Sequence, residues 1–271
     1  MRLFKLFLAS AFLLVIVSSC NKYSKVTKSK DYEYKLKMAD EYFSKGKYKI
    51  AQELYEELFP VFKGTIKFEE LYYKDAYCFY YMKSYDDAEN LFKGFLEVFP
   101  NSTKAEEVDY MRSYCFYKQS PKLELEQVNT IKAMGMMQTF INTHPNSTRN
   151  KEAWEIVEKS RNKLEIKDFK SAQLYFDMGQ YRAAGVAFSA LLNNFPESAK
   201  ADEYKLMIIK SYYRFAEMSI EEKKPERYEQ VISECHEFTD RFPDSKLKKE
   251  VDDFLNLSQK NLKINNNEQV K

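Results

Sequence analysis

Residues 178–198 read MGQYRAAGVAFSALLNNFPES, and this stretch decides the fold. Gly179 permits a tight turn, Ala184 lets a neighbouring helix come close, and Phe188 and Leu191 fall on one face at helical spacing. Pro196 stops the helix, and Ser198 is placed to cap the next one. Outward from here the same order returns, with identical spacing from Tyr to Pro, as Tyr85, Ala88, Phe92, Phe95, Phe99, Pro100 and Ser102. It returns again as Tyr228, Val231, Cys235, Phe238, Phe242, Pro243 and Ser245. A weaker copy runs Ala133, Met137, Phe140, His144, Pro145 and Ser147. The first copy keeps Tyr48, Ala51, Tyr55 and Leu58, but its Phe59 and Pro60 come early in the register.

Each copy follows a second signature, a small residue with large, mostly aromatic ones three and four positions later. These are Ala39/Tyr42/Phe43, Ala76/Phe79/Tyr80, Ser113/Phe116/Tyr117, Ala172/Tyr175/Phe176 and Ser211/Arg214/Phe215. Arg214 is the one clear departure. Five such pairs in order, at periods of roughly 37 residues or more, are the tetratricopeptide pattern. The expected fold is all-α, a tetratricopeptide-repeat solenoid of five helix pairs plus a C-terminal capping helix.

Helices are expected at about 32–44 and 47–59, 66–82 and 85–98, 102–118 and 126–143, 148–177 and 180–194, and 199–219 and 225–241. The cap is expected at about 245–262, since a solenoid end must show a polar outer face. The third and fifth pairs carry inserts around Pro121 and Pro225, which emerge as loops. No Pro or Gly interrupts 148–177, so that helix reads as a rigid spacer between repeats 1–3 (32–146) and the remainder (147–262). Residues 263–271 have too little apolar content to fold and read as a disordered tail.

At the amino end Arg2 and Lys5 precede an uncharged apolar run, Leu6 to Val17, and then Ser18, Ser19 and Cys20. The run is short for a membrane span. Residues 1–19 resemble a bacterial lipoprotein signal, with lipid added at Cys20. Asn21 favours the outer membrane, and no acidic run follows it to mark surface export. Residues 20–31 read as a lipidated flexible tether with its lysines near the headgroups.

Removing the signal takes away Arg2 and Lys5 and leaves basic and acidic residues equal. That argues against a nucleic-acid partner, which needs a concentrated positive face. Aromatics make up 16% of the chain against six Gly, enough to bury a large core and too little Gly for a sheet protein. Cys78, Cys115 and Cys235 share no short spacing and read as small buried hydrophobes. His144 and His236 have no ligand pattern beside them, and no catalytic or phosphate-binding motif is present. The reading is not an enzyme, with no cofactor and no metal.

Two sets of residues stand out for binding. Tyr73, Tyr77 and Tyr80 correspond to Tyr110, Tyr114 and Tyr117 one repeat later. They are either core tyrosines between stacked helices or a groove for an extended peptide, where Tyr gives area and a hydroxyl at low entropy cost. Arg214, with Lys223, Lys224 and Arg227 of the last insert, forms the second set, suited to docking on an acidic surface. A buried Arg214 would need a partner, within the fold or across an interface.

The lipoprotein signal, five repeats, three Phe-Pro-x-Ser motifs, inserted third repeat and following long helix together resemble the outer-membrane assembly lipoprotein family BamD. The resemblance covers roughly 16–245. It implies a scaffold of the β-barrel assembly machinery, facing the periplasm. Its carboxy-terminal repeats would bind the BamA-type barrel subunit and its amino-terminal repeats unfolded barrel precursors. The alternatives are another periplasmic repeat adaptor for envelope or cell-wall coordination, which would usually bring a coiled coil, and a SusD-like nutrient-binding lipoprotein. The second needs Trp-rich platforms, and this chain has one Trp, Trp154.

Overall fold

The Phe-Pro-x-Ser motif, with His144 in place of Phe in the third repeat, works the same way in four repeats. Phe99, His144, Phe195 and Phe242 each end a helix with φ between −122° and −130° and ψ near 60°, out of the α region that a following Pro disfavours. The Ser amide then donates back to the carbonyl of that residue, closing a β-turn with Pro at its second position (3.1 Å from Ser102 to Phe99, 3.0 Å from Ser147 to His144). The Ser side chain accepts from the amide two residues on, at 3.0–3.1 Å, in a side-chain turn that leads into the next helix. The expected cap at Ser198 is not formed, since the helices after Ser102 and Ser198 have Lys104 and Lys200 at the cap position, without a side-chain cap. Stop, turn and start are thus written in four residues.

The structure, a computed structural model, describes residues 23–269. Its helices are α1 (Tyr32–Ser44), α2 (Tyr48–Phe62), α3 (Lys67–Tyr81), α4 (Tyr85–Val98), α5 (Ala105–Lys118) and α6 (Val128–Thr143). They continue as α7 (Asn150–Asp177), α8 (Tyr181–Asn194), α9 (Ala201–Glu217), α10 (Lys224–Arg241) and α11 (Lys248–Gln269). A short 3-10 turn, Glu221–Lys223, precedes α10. Among the described residues there is no strand, and no helix is long and apolar enough to cross a membrane. The fold is all-α, with the helices paired as tetratricopeptide repeats.

Within the first pair, the second and the fourth, the turn is a Schellman motif. Lys47, Ser84 and Gln180 amides return to the carbonyls of Tyr42, Phe79 and Tyr175 at 2.9–3.0 Å. The residue before each lies in the left-handed region, Gly46 at φ 70°, Lys83 at 64° and Gly179 at 74°. Gly takes this conformation freely, whereas Lys83 pays a steric cost.

The chain divides into two units, one ending at Ser160 and one beginning at Arg161, and the division falls inside α7. In each, a helix packs on its sequence neighbour. The repeat register is the core: Ala39, Ala76, Ala172 and Ser211 are fully buried, as are Ala51, Ala88, Ala133 and Ala184 of the second helices. Tyr55, Phe92, Met137, Phe188 and Cys235 lie one turn further on, also fully buried. The second turn of α7 gives Ala153, Ile156 and Val157 to the core of the first unit. Its end gives Phe169, Ala172 and Phe176 to that of the second. It is therefore a packed member of both cores, not a bare spacer.

Four expectations change. The helix at 47–59 runs on to Phe62, because Pro60 in its last turn forfeits one backbone bond only; Gly64, at φ 82°, ends it. The tether is not flexible throughout: residues 23–27 are helical, Val26 is fully buried against α1 and α2, and the Tyr23 hydroxyl donates to Glu53 at 2.5 Å. The tail expected at 263–271 is helical as far as Gln269, since propagating a helix already anchored by Leu262 gains a backbone bond per residue. Arg214 is exposed, so its position needs no aromatic; the equivalent Tyr175 is exposed too. Residues 1–19, and Cys20 with them, lie outside the described residues.

Candidate functional site

The tyrosines of α3 and α5 form one connected aromatic face. Tyr73 and Tyr77 have ring centroids 4.8 Å apart, and Tyr77 meets Tyr80 at 6.2 Å. Tyr80 reaches across to Tyr114 at 6.3 Å, and Tyr114 stacks on Tyr110 and touches Tyr117, both at 5.7 Å. All six residues singled out in the sequence are brought together. They do not share one role.

Tyr77 and Tyr110 are buried, at 7% and 2% exposure. They are core residues, out of reach of a segment lying on the surface, and this corrects the groove assignment for both. Tyr77 packs edge-on to Phe92, and Tyr110 edge-on to Phe140. Tyr73, Tyr80, Tyr114 and Tyr117 are half-buried and keep one edge open. Tyr81, not singled out in the sequence, is more open than any of these; it stacks on Tyr48 at 4.6 Å and extends the face onto the first repeat.

A carboxylate organises this face. Glu107 accepts the Tyr77 hydroxyl at 2.8 Å and the Tyr73 hydroxyl at 3.1 Å, and Arg149 closes on it at 3.3 Å. Burial, with the Glu107 charge adding, pushes Tyr73 up to about 12. Lys104 lies over the Tyr73 ring at 5.5 Å and Arg149 over the Tyr110 ring at 4.9 Å. Glu107 and Arg149 were missed because their partners lie one repeat away. Next to the face, α1 and α3 enclose a groove of about 350 Å³, walled by Leu36 and Leu71 and rimmed by Glu33, Lys37, Lys67 and Glu70. Lys74 spans these helices to Asp40 at 3.0 Å.

The second set sits where α9 joins α10. Arg214 pairs with Glu217 at 2.9 Å, Lys223 with Glu226 at 3.4 Å and Lys224 with Glu221 at 2.6 Å. Arg227 lies flat on Phe215, 3.9 Å from its centroid, and donates to Ser219. The edge is therefore a mixed-charge surface of pairs three residues apart, not a free positive patch. Arg214, the residue that motivated it, is satisfied within the fold.

His144 fills the Phe position with its ring tilted against Phe140, centroids 4.8 Å apart, and Nε2 3.3 Å from Asp109. Cys78, Cys115 and Cys235 are buried free thiols, each pushed above the usual range by burial. Among the described residues no group of His, Cys, Asp or Glu is placed to hold a metal ion.

No curated protein matches the chain in sequence. Solved structures with similarity include the TPR2AB-domain:pHSP90 complex of yeast Sti1, 12% identical over 84% of this chain and 98% of its own, with a TM-score of 0.38. The TPR domain of P58(IPK) is 14% identical over 89% of this chain and 68% of its own, at 0.41. A TPR repeats protein from Bacteroides fragilis is 13% identical over 85% and 99%, at 0.40. The family model YfiO, described as outer membrane lipoprotein, matches residues 28–224, from the end of the first helical turn to the start of α10. With that match over most of its length, the chain belongs to the YfiO family of outer membrane lipoproteins.

Proposed function

We propose that this protein is a non-enzymatic scaffold of the outer-membrane β-barrel assembly complex, held by lipid on Cys20 and facing the periplasm. Family membership over residues 28–224 is the observation that carries the reading. The open tyrosine edges of α3 and α5, with Tyr81, supply the surface for an unfolded barrel precursor. An extended segment crossing them gains aromatic area and hydroxyl partners without ordering a loop. The α9–α10 edge serves as the docking side for the BamA-type subunit. Its short-range ion pairs can be exchanged for pairs across an interface at small net cost, because exposed pairs contribute about 0–1 kcal/mol each.

The decisive experiment is recovery of the BamA-type subunit from detergent-solubilised envelope by the full-length protein. Arg214→Glu with Lys223→Glu and Lys224→Glu should abolish that recovery while membrane attachment and helix content stay unchanged. Full recovery by this triple variant would move the docking site elsewhere. Recovery of no assembly subunit by the unaltered protein would overturn the whole reading. Cys20→Ser should remove fatty-acid labelling, and a labelled Cys20→Ser protein would refute the anchor.

A further inference from the structure

The face of α3 opposite the tyrosines holds a different kind of site. Asp75 and Phe79 are one turn apart and point between α2 and α4, where a cavity of about 460 Å³ opens. Asp75 lies at its base, 1% exposed, and its Oδ1 has no hydrogen-bond partner. An unpaired buried carboxylate is costly, and natural proteins keep few of them. The walls are apolar, Phe59 from α2, Phe79 from α3 and Leu91 from α4. The rim carries Glu56, Asp87 and the Asn90 amide. Ser84 donates to Asp87 at 2.9 Å, but among the described residues no cation pairs with Glu56, Asp75 or Asp87.

What sets the cavity apart is that one of these carboxyl groups, Asp75, is buried without a cation. Glu57, Asp40, Glu70, Glu89 and Glu107, all in the same unit, each have a Lys or Arg from the chain itself within 3.3 Å. Here three carboxyl groups converge around an apolar shaft with no such partner. The shape matches a side chain with an apolar stem and a cationic head, which would leave its methylenes against Phe59 and Phe79 and bring its charge to Asp75. A metal ion fits less well, because hard cations need more oxygen ligands than one buried carboxylate and two rim groups supply.

We propose that this cavity receives the side chain of a single arginine or lysine presented by a protein partner. The site is on the far side of α3 from the tyrosine face, so it stands whether or not that face binds precursors. Burial, and then the charge of Glu56, raise the Asp75 carboxyl to about 8 in the empty cavity. The carboxyl therefore holds a proton at neutral pH and gives it up as the cation enters.

The test is titration of the full-length protein in detergent with acetyl-arginine amide, followed by the NMR amide signals of Asn90 and Leu91. Acetyl-lysine amide (acetylated at the α-amine) and acetyl-norleucine amide, which has the stem without the charge, are the comparison probes. The arginine or lysine probe should shift both signals saturably and bind at least about fivefold more tightly than the norleucine probe, the scale of one or two partly screened charge contacts. Glu56→Gln with Asp87→Asn changes surface positions only, keeps the fold, and should weaken the cationic probe by the same factor or more. Asp75→Asn should do so too; if it fails to fold, the rim variant decides. Absence of saturable shifts, equal affinity for norleucine, or a smaller loss in the rim variant would each overturn the proposal.

Discussion

The Ser102 hydroxyl donates to Glu69 at 2.6 Å while the same oxygen accepts the amide of Lys104 at 3.0 Å. One side chain thus leads into α5 and ties it to the first turn of α3. The arrangement recurs, with Ser147 on Glu106, Ser198 on Glu165 and Ser245 on Asp202. Each acid lies in the first turn of the first helix of the preceding pair, except Glu165, which lies midway along the first helix of its pair, α7. Ser102→Ala should cost about 1–2 kcal/mol, the sum of a lost turn bond and a charge-assisted bond. Glu69→Gln, which spares the turn bond, should cost less than half of that. Urea unfolding measures both, and equal losses would assign the whole effect to the acid.

Substitution of the tyrosines should separate core from surface. Tyr77→Ala and Tyr110→Ala should each destabilise by about 3–5 kcal/mol, as for large buried aromatics. Tyr81→Ala should fall within about 1 kcal/mol of the unaltered protein and act on precursor binding instead. The midpoint of denaturant unfolding reads the first effect and peptide binding the second. A Tyr81→Ala variant as unstable as Tyr77→Ala would remove Tyr81 from the proposed surface.

Lys83 occupies, at φ 64°, the turn position that Gly46 and Gly179 occupy elsewhere. Lys83→Gly should raise stability by about 1 kcal/mol through relief of the left-handed conformation, less what Gly gains in unfolded freedom. Gly179→Ala should lower it by a similar amount. A destabilised Lys83→Gly would show that the lysine side chain contributes more than its backbone costs.

Asp75 makes stability depend on pH in the unusual direction for a carboxylate. Its folded value, about 8, is above the ordinary 3.8, so the folded state holds a proton that the unfolded state has released between these limits. Stability therefore falls as pH rises through that window and levels off above it. Asp75→Asn should be more stable than the unaltered protein at pH 8–9 by a few kcal/mol, at ~1.4 kcal/mol per unit of displacement, and equal to it below about pH 4. Thermal unfolding across pH checks this; a gap that does not change with pH would mean that the carboxyl is not raised.

The helix pairs were legible because the repeat is written in residues that act locally. Pro196 and Ser198 act within four residues, and Ala184, Phe188 and Leu191 lie on one face of one helix. What was not legible depends on neighbours a repeat away. Nothing in the chain near Tyr77 says that its hydroxyl will meet Glu107, or that Asp75 will be closed over by α2 and α4. Arg214 was over-read for the same reason: the repeat position predicted burial, but α9 turns that position outward. Val26 shows the reverse error, one apolar residue in a Lys-rich stretch being enough to anchor a helical turn to the first pair.

The reach of the serine links has a consequence for folding. The carboxylate that each serine finds lies 33 to 43 residues earlier in the chain, and most of the described helices rest on a sequence neighbour. No strand pairing waits for a distant segment. Contacts this local favour fast folding, because each pair can settle on the one before it without closing a long loop. Packing can therefore propagate from one repeat to the next along the chain.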